Sequence, residues 1–142
     1  MMSTDEHLGP SWDDLRRLVQ QRPARATLCG MSDFPAAGHV LYEVRGTTND
    51  VALADTIETY LRVAHVPDIL LTGCFAGAYV TRLDPVTFRT TYVAHDHASL
   101  ERYFAQHTAR VRAEFVRRFP TGVTLTREEW IVAERFDLGD GR

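Results

Sequence analysis

The chain has 142 residues, of which 44% are hydrophobic and 25% charged, a profile typical of one globular domain. The formal net charge of −3 gives no reason to expect nucleic acid or a membrane as a partner, and the absence of a signal-like apolar run favours a cytoplasmic protein. All 16 basic residues are arginine, which excludes Schiff-base catalysis, covalent attachment of pyridoxal phosphate and a P-loop lysine.

Three segments are predicted along the chain: an N-terminal extension over residues 1–37, a folded domain over 38–136 and a tail over 137–142. The extension contains "SWDDLRRLVQQRP", whose apolar spacing predicts a short amphipathic helix that begins after Ser11 and ends at Pro23. The apolar face of this helix would cover a pocket or strengthen a dimer.

The domain begins with a predicted strand in "HVLYEVRG". A helix is predicted next, from Val51 to about His65, because apolar residues recur there with helical spacing. Either Asn49 or Asp50 can cap its first turn. Pro67 is expected to end it, since proline cannot donate the next backbone hydrogen bond.

The second half of the domain contains a predicted hairpin, a helix and a strand. The strands "CFAGAYVTRL" and "TFRTTYVAH" flank the turn-forming pair Asp84 and Pro85. The helix extends from His97 to about Arg118, and "VTLTREEWIVAERF" forms the last strand. This βαββαβ order predicts a ferredoxin-like α+β fold, an antiparallel sheet with two helices on one face. The other sheet face is expected to be covered by a second copy of the chain.

Four segments also resemble a known group of proteins. "HVLYEV", "HVPDILLTGCFAGAYVTRLD", "LERYFAQHTARVRAEFVRRFP" and "REEWIV" are similar to a bacterial family of unknown function in the dimeric α/β-barrel superfamily. The resemblance covers roughly His39 to Arg135. It implies that two protomers join their sheets into a barrel. The wider superfamily includes cofactor-free monooxygenases, polyketide cyclases, isomerases and haem-dependent enzymes, so the resemblance specifies architecture better than reaction.

Two histidines, His95 and His97, flank Asp96 where the third strand meets the second helix. A His-x-His pair with a nearby carboxylate can bind zinc or iron. The same short polar residues are typical of a helix start, with Asp96 as the N-cap. We favour the cap and predict no metal site. Cys29 and Cys74 do not have the paired spacing of zinc ligands.

A third histidine, His107, lies within the apolar stripe of the second helix, together with Leu100, Phe104, Val111 and Phe115. Its side chain is therefore expected to point towards the sheet. One interpretation is a core histidine with a single hydrogen bond. The other is a proton-transfer residue in a pocket between helix and sheet.

Aromatic residues on the predicted strands can line such a pocket, although aromatic strand residues most often serve packing alone. Tyr42 and Tyr92 lie in mid-strand, so their hydroxyls can approach His107 if both face the helices. The remaining candidates for substrate binding are Tyr79, Trp130, Phe104, His39 and Arg112.

The leading functional prediction is an enzyme without an organic cofactor that acts on a small aromatic or polyketide-like metabolite by acid–base chemistry. His107, Tyr92 and Tyr42 are its predicted catalytic residues, and cyclisation or isomerisation is the expected reaction type. A cofactor-free monooxygenase is the first alternative. A non-catalytic module that binds a small molecule or a partner protein is the second.

Overall fold

A computed structural model describes residues 35–138 of the chain. The elements in chain order are strand β1 (Val40–Thr48), helix α1 (Val51–Tyr60), a π-helical turn (Leu61–His65), helix α2 (Val66–Leu70), strand β2 (Phe75–Asp84), strand β3 (Thr87–Ala94), helix α3 (His97–Gln106), helix α4 (Thr108–Arg118) and strand β4 (Val123–Ile131). The helix predicted in the N-terminal extension lies outside the described residues.

The four strands form one antiparallel sheet in the order β2-β3-β1-β4. The two strands joined by each helical connection, β1 with β2 and β3 with β4, are thus separated in the sheet by one strand from the other half of the chain. The hairpin between β2 and β3 forms where predicted, and the side chain of Asp84 accepts a hydrogen bond from the Val86 N–H at 3.0 Å. The ferredoxin-like α+β fold predicted from the sequence is confirmed.

The two faces of the sheet differ because successive side chains on a strand point in opposite directions. On β1, Val40 and Tyr42 are buried and belong to the main hydrophobic cluster, which includes Leu100 and Phe115 of the helices. Glu43 follows Tyr42 on the strand and points to the opposite face. The core therefore occupies the space between this sheet face and the helices.

The first helical segment extends further than predicted. Asp50 caps α1 by accepting a hydrogen bond from the Ala52 N–H at 2.9 Å, and the π-helical turn joins α1 directly to α2. Pro67 lies in the first turn of α2, where proline is tolerated. The prediction that Pro67 ends the helix is wrong, and the added turns bury Ile69.

The second predicted helix is divided at His107 into α3 and α4. The His107 backbone has φ −128° and ψ −30°, well away from helical values near −63° and −42°. Helical hydrogen bonds continue on both sides, from the His107 N–H to the Tyr103 carbonyl and from the Val111 N–H to the His107 carbonyl. The predicted extent to Arg118 is confirmed, but the segment is kinked.

The last strand is shorter than predicted. β4 ends at Ile131, and the predicted strand extended to Phe136. Val132 still exchanges backbone hydrogen bonds with the segment before β1, donating to the His39 carbonyl and accepting from the Gly38 N–H, both at 2.9 Å. The backbone pairing of the β4 segment therefore ends just beyond the first residue of β1.

Gly46 is required in β1 because the Phe88 ring of β3 occupies the space where a Cβ would lie, with Leu125 of β4 also close. We expect Gly46→Ala to lower the free energy of unfolding by about 1–3 kcal/mol through overpacking. Chemical denaturation of the single variants and of Gly46→Ala/Phe88→Leu measures this effect. The smaller leucine vacates the space, so the double variant should lose less stability than the sum of the two singles. Simple additivity would contradict the proposed overlap.

Candidate functional site

A cavity of about 120 Å³ lies between the sheet and the helices. Strands β1, β3 and β4 supply one wall, and α4, α3 and the segment around the π-helical turn supply the other. Its lining consists mainly of aromatic and aliphatic side chains, with a few polar groups: Tyr42, Val44, Leu61, His65, Ile69, Phe88, Thr90, Tyr92, Tyr103, Thr108, Val111, Arg112, Phe115, Val116, Leu125 and Arg127.

Three tyrosines form the centre of this cavity. Tyr42 and Tyr92 are directly opposite each other on β1 and β3, and their ring centroids are 5.9 Å apart. Tyr103 of α3 lies 6.3 Å from the Tyr42 ring. The predicted condition that Tyr42 and Tyr92 both face the helices is met.

The hydroxyls of two of these tyrosines stay protonated under ordinary conditions. Burial raises the pKa of Tyr92 well above its usual value. Burial, with a smaller contribution from Tyr42, raises the pKa of Tyr103 to about 12. Both residues can therefore donate hydrogen bonds to a bound molecule, but neither is poised to act as a base near neutral pH.

Two arginines lie at the opening of the cavity. Arg112 of α4 and Arg127 of β4 are both solvent-exposed, as is the neighbouring Val116, whereas Leu61 and Tyr92 are buried. The cavity therefore opens between α4 and β4. One Arg112 nitrogen, Nη2, lies 3.5 Å from the Tyr42 hydroxyl, at the long limit of a hydrogen bond.

The π-helical turn places His65 in the cavity wall. Its ring packs against Tyr60 and Phe115, with centroids 5.4 Å and 5.7 Å away. Burial lowers the pKa of His65 to about 4, although the carboxylates of Asp68 and Glu114 act in the opposite direction. The imidazole is therefore neutral at pH 7 and can both donate and accept a hydrogen bond. π-Helical turns are frequent at functional sites.

His107, the predicted proton-transfer residue, does not line the cavity. Its ring stacks on Tyr103 with a centroid distance of 6.2 Å and is half-buried. The kink at His107 shifts the residue from the position that an uninterrupted helix would give it. Its catalytic role stays a prediction, now with Tyr103 between it and the cavity.

Two predicted pocket aromatics lie on the other face of the sheet. Tyr79 is opposite Thr91, and Trp130 is opposite Leu41, so both alternate with the residues that face the helices. Their side chains are 40% and 54% exposed. The prediction that Tyr79 and Trp130 line the same cavity as Tyr42 is therefore wrong, because strand register decides the face.

The other predicted substrate-binding residues have different positions. Phe104 packs edge-on against Tyr42, with centroids 5.2 Å apart, and supports the cavity from behind. His39 lies at the start of β1, where its Nδ1 accepts a hydrogen bond from the Ala36 N–H at 2.8 Å. Arg112 alone of this group lines the cavity.

His95 and His97 flank Asp96, the residue that caps the start of α3. The Asp96 side chain accepts a hydrogen bond from the Ser99 N–H at 2.8 Å, which confirms its predicted role. His97 is 62% exposed and lies 3.1 Å from Glu101, one helical turn along. Among residues 35–138, no group of three or more histidine, cysteine, aspartate or glutamate side chains converges as a metal site.

Tyr103, His65 and Arg127 are among the cavity residues that the sequence analysis did not predict. His65 follows Leu61 by four residues, a spacing that places both side chains on one side of a helix and could have identified His65. His65 was not considered because the helix was expected to end there. Arg127 follows Leu125 by two residues on β4 and so shares its face, but only the pairing of Arg127 with Val44 shows which face this is.

The sheet topology defines a ferredoxin-like α+β protein with a cavity between the sheet and its helices. The family described as "Domain of unknown function (DUF4286)" matches residues 39–131, and the chain belongs to this family. The predicted membership in a family of unknown function is confirmed. No curated protein matches the sequence significantly.

Solved structures share the fold at low sequence identity. A mutant of SnoaB, a cofactor-independent oxygenase from Streptomyces nogalater, matches with a TM-score of 0.53 and 17% identity, over 73% of this chain and 100% of the SnoaB chain. NE2512, a protein of unknown function from Nitrosomonas europaea, matches with a TM-score of 0.50 and 14% identity, again over 73% and 100%. At such identities the likeness shows the fold alone.

The helices of residues 35–138 are all too short or too polar to cross a membrane.

The partly buried, neutral His65 is expected to make stability depend on pH. Its pKa of about 4 lies below the ordinary value of 6.5, so the unfolded chain binds the proton more tightly. The stabilisation is fully present above pH 6.5 and is lost as the pH falls towards 4, by up to about 3 kcal/mol in free energy of unfolding.

Denaturant unfolding of wild type and His65→Phe between pH 4 and 7.5 measures this difference. The variant should lose less stability on acidification than wild type, because phenylalanine carries no titrating group. His97→Gln, which alters an exposed histidine, is the control and should follow wild type. Parallel pH curves for wild type and His65→Phe would show that His65 is not protonated on unfolding.

Proposed function

We propose that the protein is an enzyme without an organic cofactor that binds a small, single-ring aromatic molecule in the cavity and acts by proton transfer. The observation that supports it best is the set of tyrosine and phenylalanine rings around one cavity that also contains polar groups. A cavity lined by aromatic rings with a few polar groups is the usual first candidate for a small-molecule binding site.

The volume favours one ring over several. A protein cavity of about 150 Å³ accommodates benzene, whereas this cavity measures about 120 Å³ and opens to solvent on one side. A single ring with a substituent at the opening therefore fits better than the fused rings of a large polyketide. The substrate class expected from the sequence is narrowed to its smaller, aromatic members.

Proton transfer is assigned to the Tyr42 hydroxyl, and Arg112 supplies a fixed positive charge beside it. The Tyr42 hydroxyl lies inside the cavity, and the guanidinium of Arg112 is next to it at 3.5 Å. A positive charge at this point stabilises an oxyanion that develops on a phenolic or enolic substrate. Tyr92 and Tyr103 supply neutral hydroxyls that can orient the same oxygen. Isomerisation or ring closure requires no further co-reactant.

Oxygenation is the second candidate reaction, and it is favoured by the structural likeness to SnoaB, described as a cofactor-independent oxygenase. An electron-rich phenolate that forms beside Arg112 would be oxidised by molecular oxygen to a quinone: one oxygen atom enters the ring, the other leaves as water, and the substrate supplies the electrons. Oxygen uptake distinguishes this reaction from isomerisation, which consumes none. Binding without any product would support the non-catalytic module.

Tyr42→Phe tests the proposed proton transfer. Single-ring phenols and enols are first screened for binding by ligand-detected NMR, and products are then followed with and without oxygen. We expect the variant to lose turnover by about 10²–10⁴-fold while still binding the ring, because only the hydroxyl is removed. Tyr79→Phe removes the same hydroxyl from the other sheet face and should behave like wild type.

Full turnover in Tyr42→Phe would contradict the assignment of Tyr42. His107→Gln belongs in the same series, since a loss of turnover as large as that of Tyr42→Phe would return His107 to the proton-transfer role. Failure of every single-ring compound to bind would contradict the proposed substrate class.

We also propose that two copies of the chain associate through the sheet face opposite the helices. This face contains the exposed rings of Tyr79 and Trp130, and Glu43 pairs there with Arg89 at 3.7 Å. Exposed aromatic residues on a sheet face beside ion-paired polar groups are typical of a protein interface. The resemblance to the dimeric α/β-barrel superfamily supports the same arrangement.

Trp130→Glu tests this association, and Ile131→Glu is its matched control. Ile131 is the next residue on β4 and is 71% exposed, but it points to the helix side of the sheet. Light scattering after size exclusion should give twice the chain mass for wild type and Ile131→Glu. Trp130→Glu should weaken association by about tenfold or more, since buried tryptophan commonly dominates an interface. A monomeric wild type would contradict the proposal.

A further inference from the structure

The two arginines at the cavity opening differ from most other arginines of the domain. Carboxylates pair with six arginines in the described part of the chain: Arg62, Arg82, Arg89, Arg110, Arg117 and Arg135. Within residues 35–138, neither Arg112 nor Arg127 pairs with a carboxylate. Their charges thus remain available to a bound anion.

These two charges are placed on opposite walls of the same opening. Arg112 projects from α4 on the helix side, and its Nη2 lies 3.5 Å from the Tyr42 hydroxyl inside. Arg127 projects from β4 on the sheet side, where it pairs in register with Val44 of the cavity wall. A group at the opening can therefore contact a guanidinium from either side.

The inner part of the cavity carries no charged side chain. Leu61, Ile69 and Tyr92 are each at most 4% exposed and form its deep end. His65, the titratable group on this wall, is neutral at pH 7 because burial lowers its pKa to about 4. A charged substituent would lose its hydration there without a partner, so the opening is the favourable place for it.

We infer that the ligand is a single-ring aromatic acid, bound with its ring inside and its carboxylate at the opening between Arg112 and Arg127. This inference rests on the proposed function and adds the charge and the orientation of the ligand. Guanidinium groups bind carboxylates through two parallel hydrogen bonds, which also fixes the plane of the attached ring. A substrate hydroxyl on the ring then lies deeper, near the tyrosine hydroxyls.

Three probes of similar size and different charge test the inference: benzoate, benzyl alcohol and benzylamine. Isothermal titration at pH 7 and low salt measures their affinities for the full-length protein. Benzoate should bind at least about tenfold more tightly than benzyl alcohol, and benzylamine should bind most weakly, because charged hydrogen bonds form only with the carboxylate.

Arg112→Gln and Arg127→Gln identify the groups responsible. Each variant should weaken benzoate binding by about 10–100-fold and leave benzyl alcohol binding unchanged within a few-fold, since a single charged contact is removed. Arg102→Gln is the matched control, because Arg102 is exposed on α3, away from the cavity, and has no carboxylate partner among residues 35–138. Its affinity for benzoate should equal that of wild type.

Equal binding of benzoate and benzyl alcohol, or benzoate affinity unaffected in both cavity variants, would overturn the inference. Benzyl alcohol that still binds in those cases would leave the aromatic cavity and its proposed function standing. If none of the three probes binds, the proposed function and the inference both fail.

Discussion

The direct pairing of Tyr42 with Tyr92 on the two central strands is the constraint on which the rest of the molecule depends. Side chains alternate between the sheet faces, so a shift of either strand by one residue would exchange its two faces. Glu43 would then lie beneath the helices in place of Tyr42 if β1 shifted, and Thr91 would replace Tyr92 if β3 shifted. A carboxylate without a partner in that space is strongly unfavourable. The pairing therefore fixes the core and the cavity together.

Local patterns in the sequence predicted most of the fold. Alternating apolar residues identified the four strands, and the short acidic residues Asp50 and Asp96 identified the two helix starts that they cap. The common direction of Tyr42 and Tyr92 was only a condition at the sequence level, and the cross-strand pairing of β1 with β3 settles it. The faces of Tyr79 and Trp130 did not follow, because cross-strand register depends on contacts between distant segments.

His107 and His65 show where a uniform helical repeat fails to predict which side chains line the cavity. His107 matches the apolar stripe of an ideal helix, but the backbone at this residue leaves helical geometry and separates its ring from the cavity. His65 was expected to be a helix end, and the π-helical turn instead makes it part of the cavity wall. Neither departure from α-helical geometry is described by a 3.6-residue repeat.

The π-helical turn has a consequence for how this family can diverge. Such a turn accommodates one residue more than an α-helix of the same length, and each residue added to or removed from a helix rotates the following side chains by about 100°. Relatives that lack the extra residue between Leu61 and His65 would present a different side chain to the cavity on an unchanged scaffold. A single-codon gap in this segment of a family alignment would thus separate members with different ligand preferences, even where all four strands align without interruption.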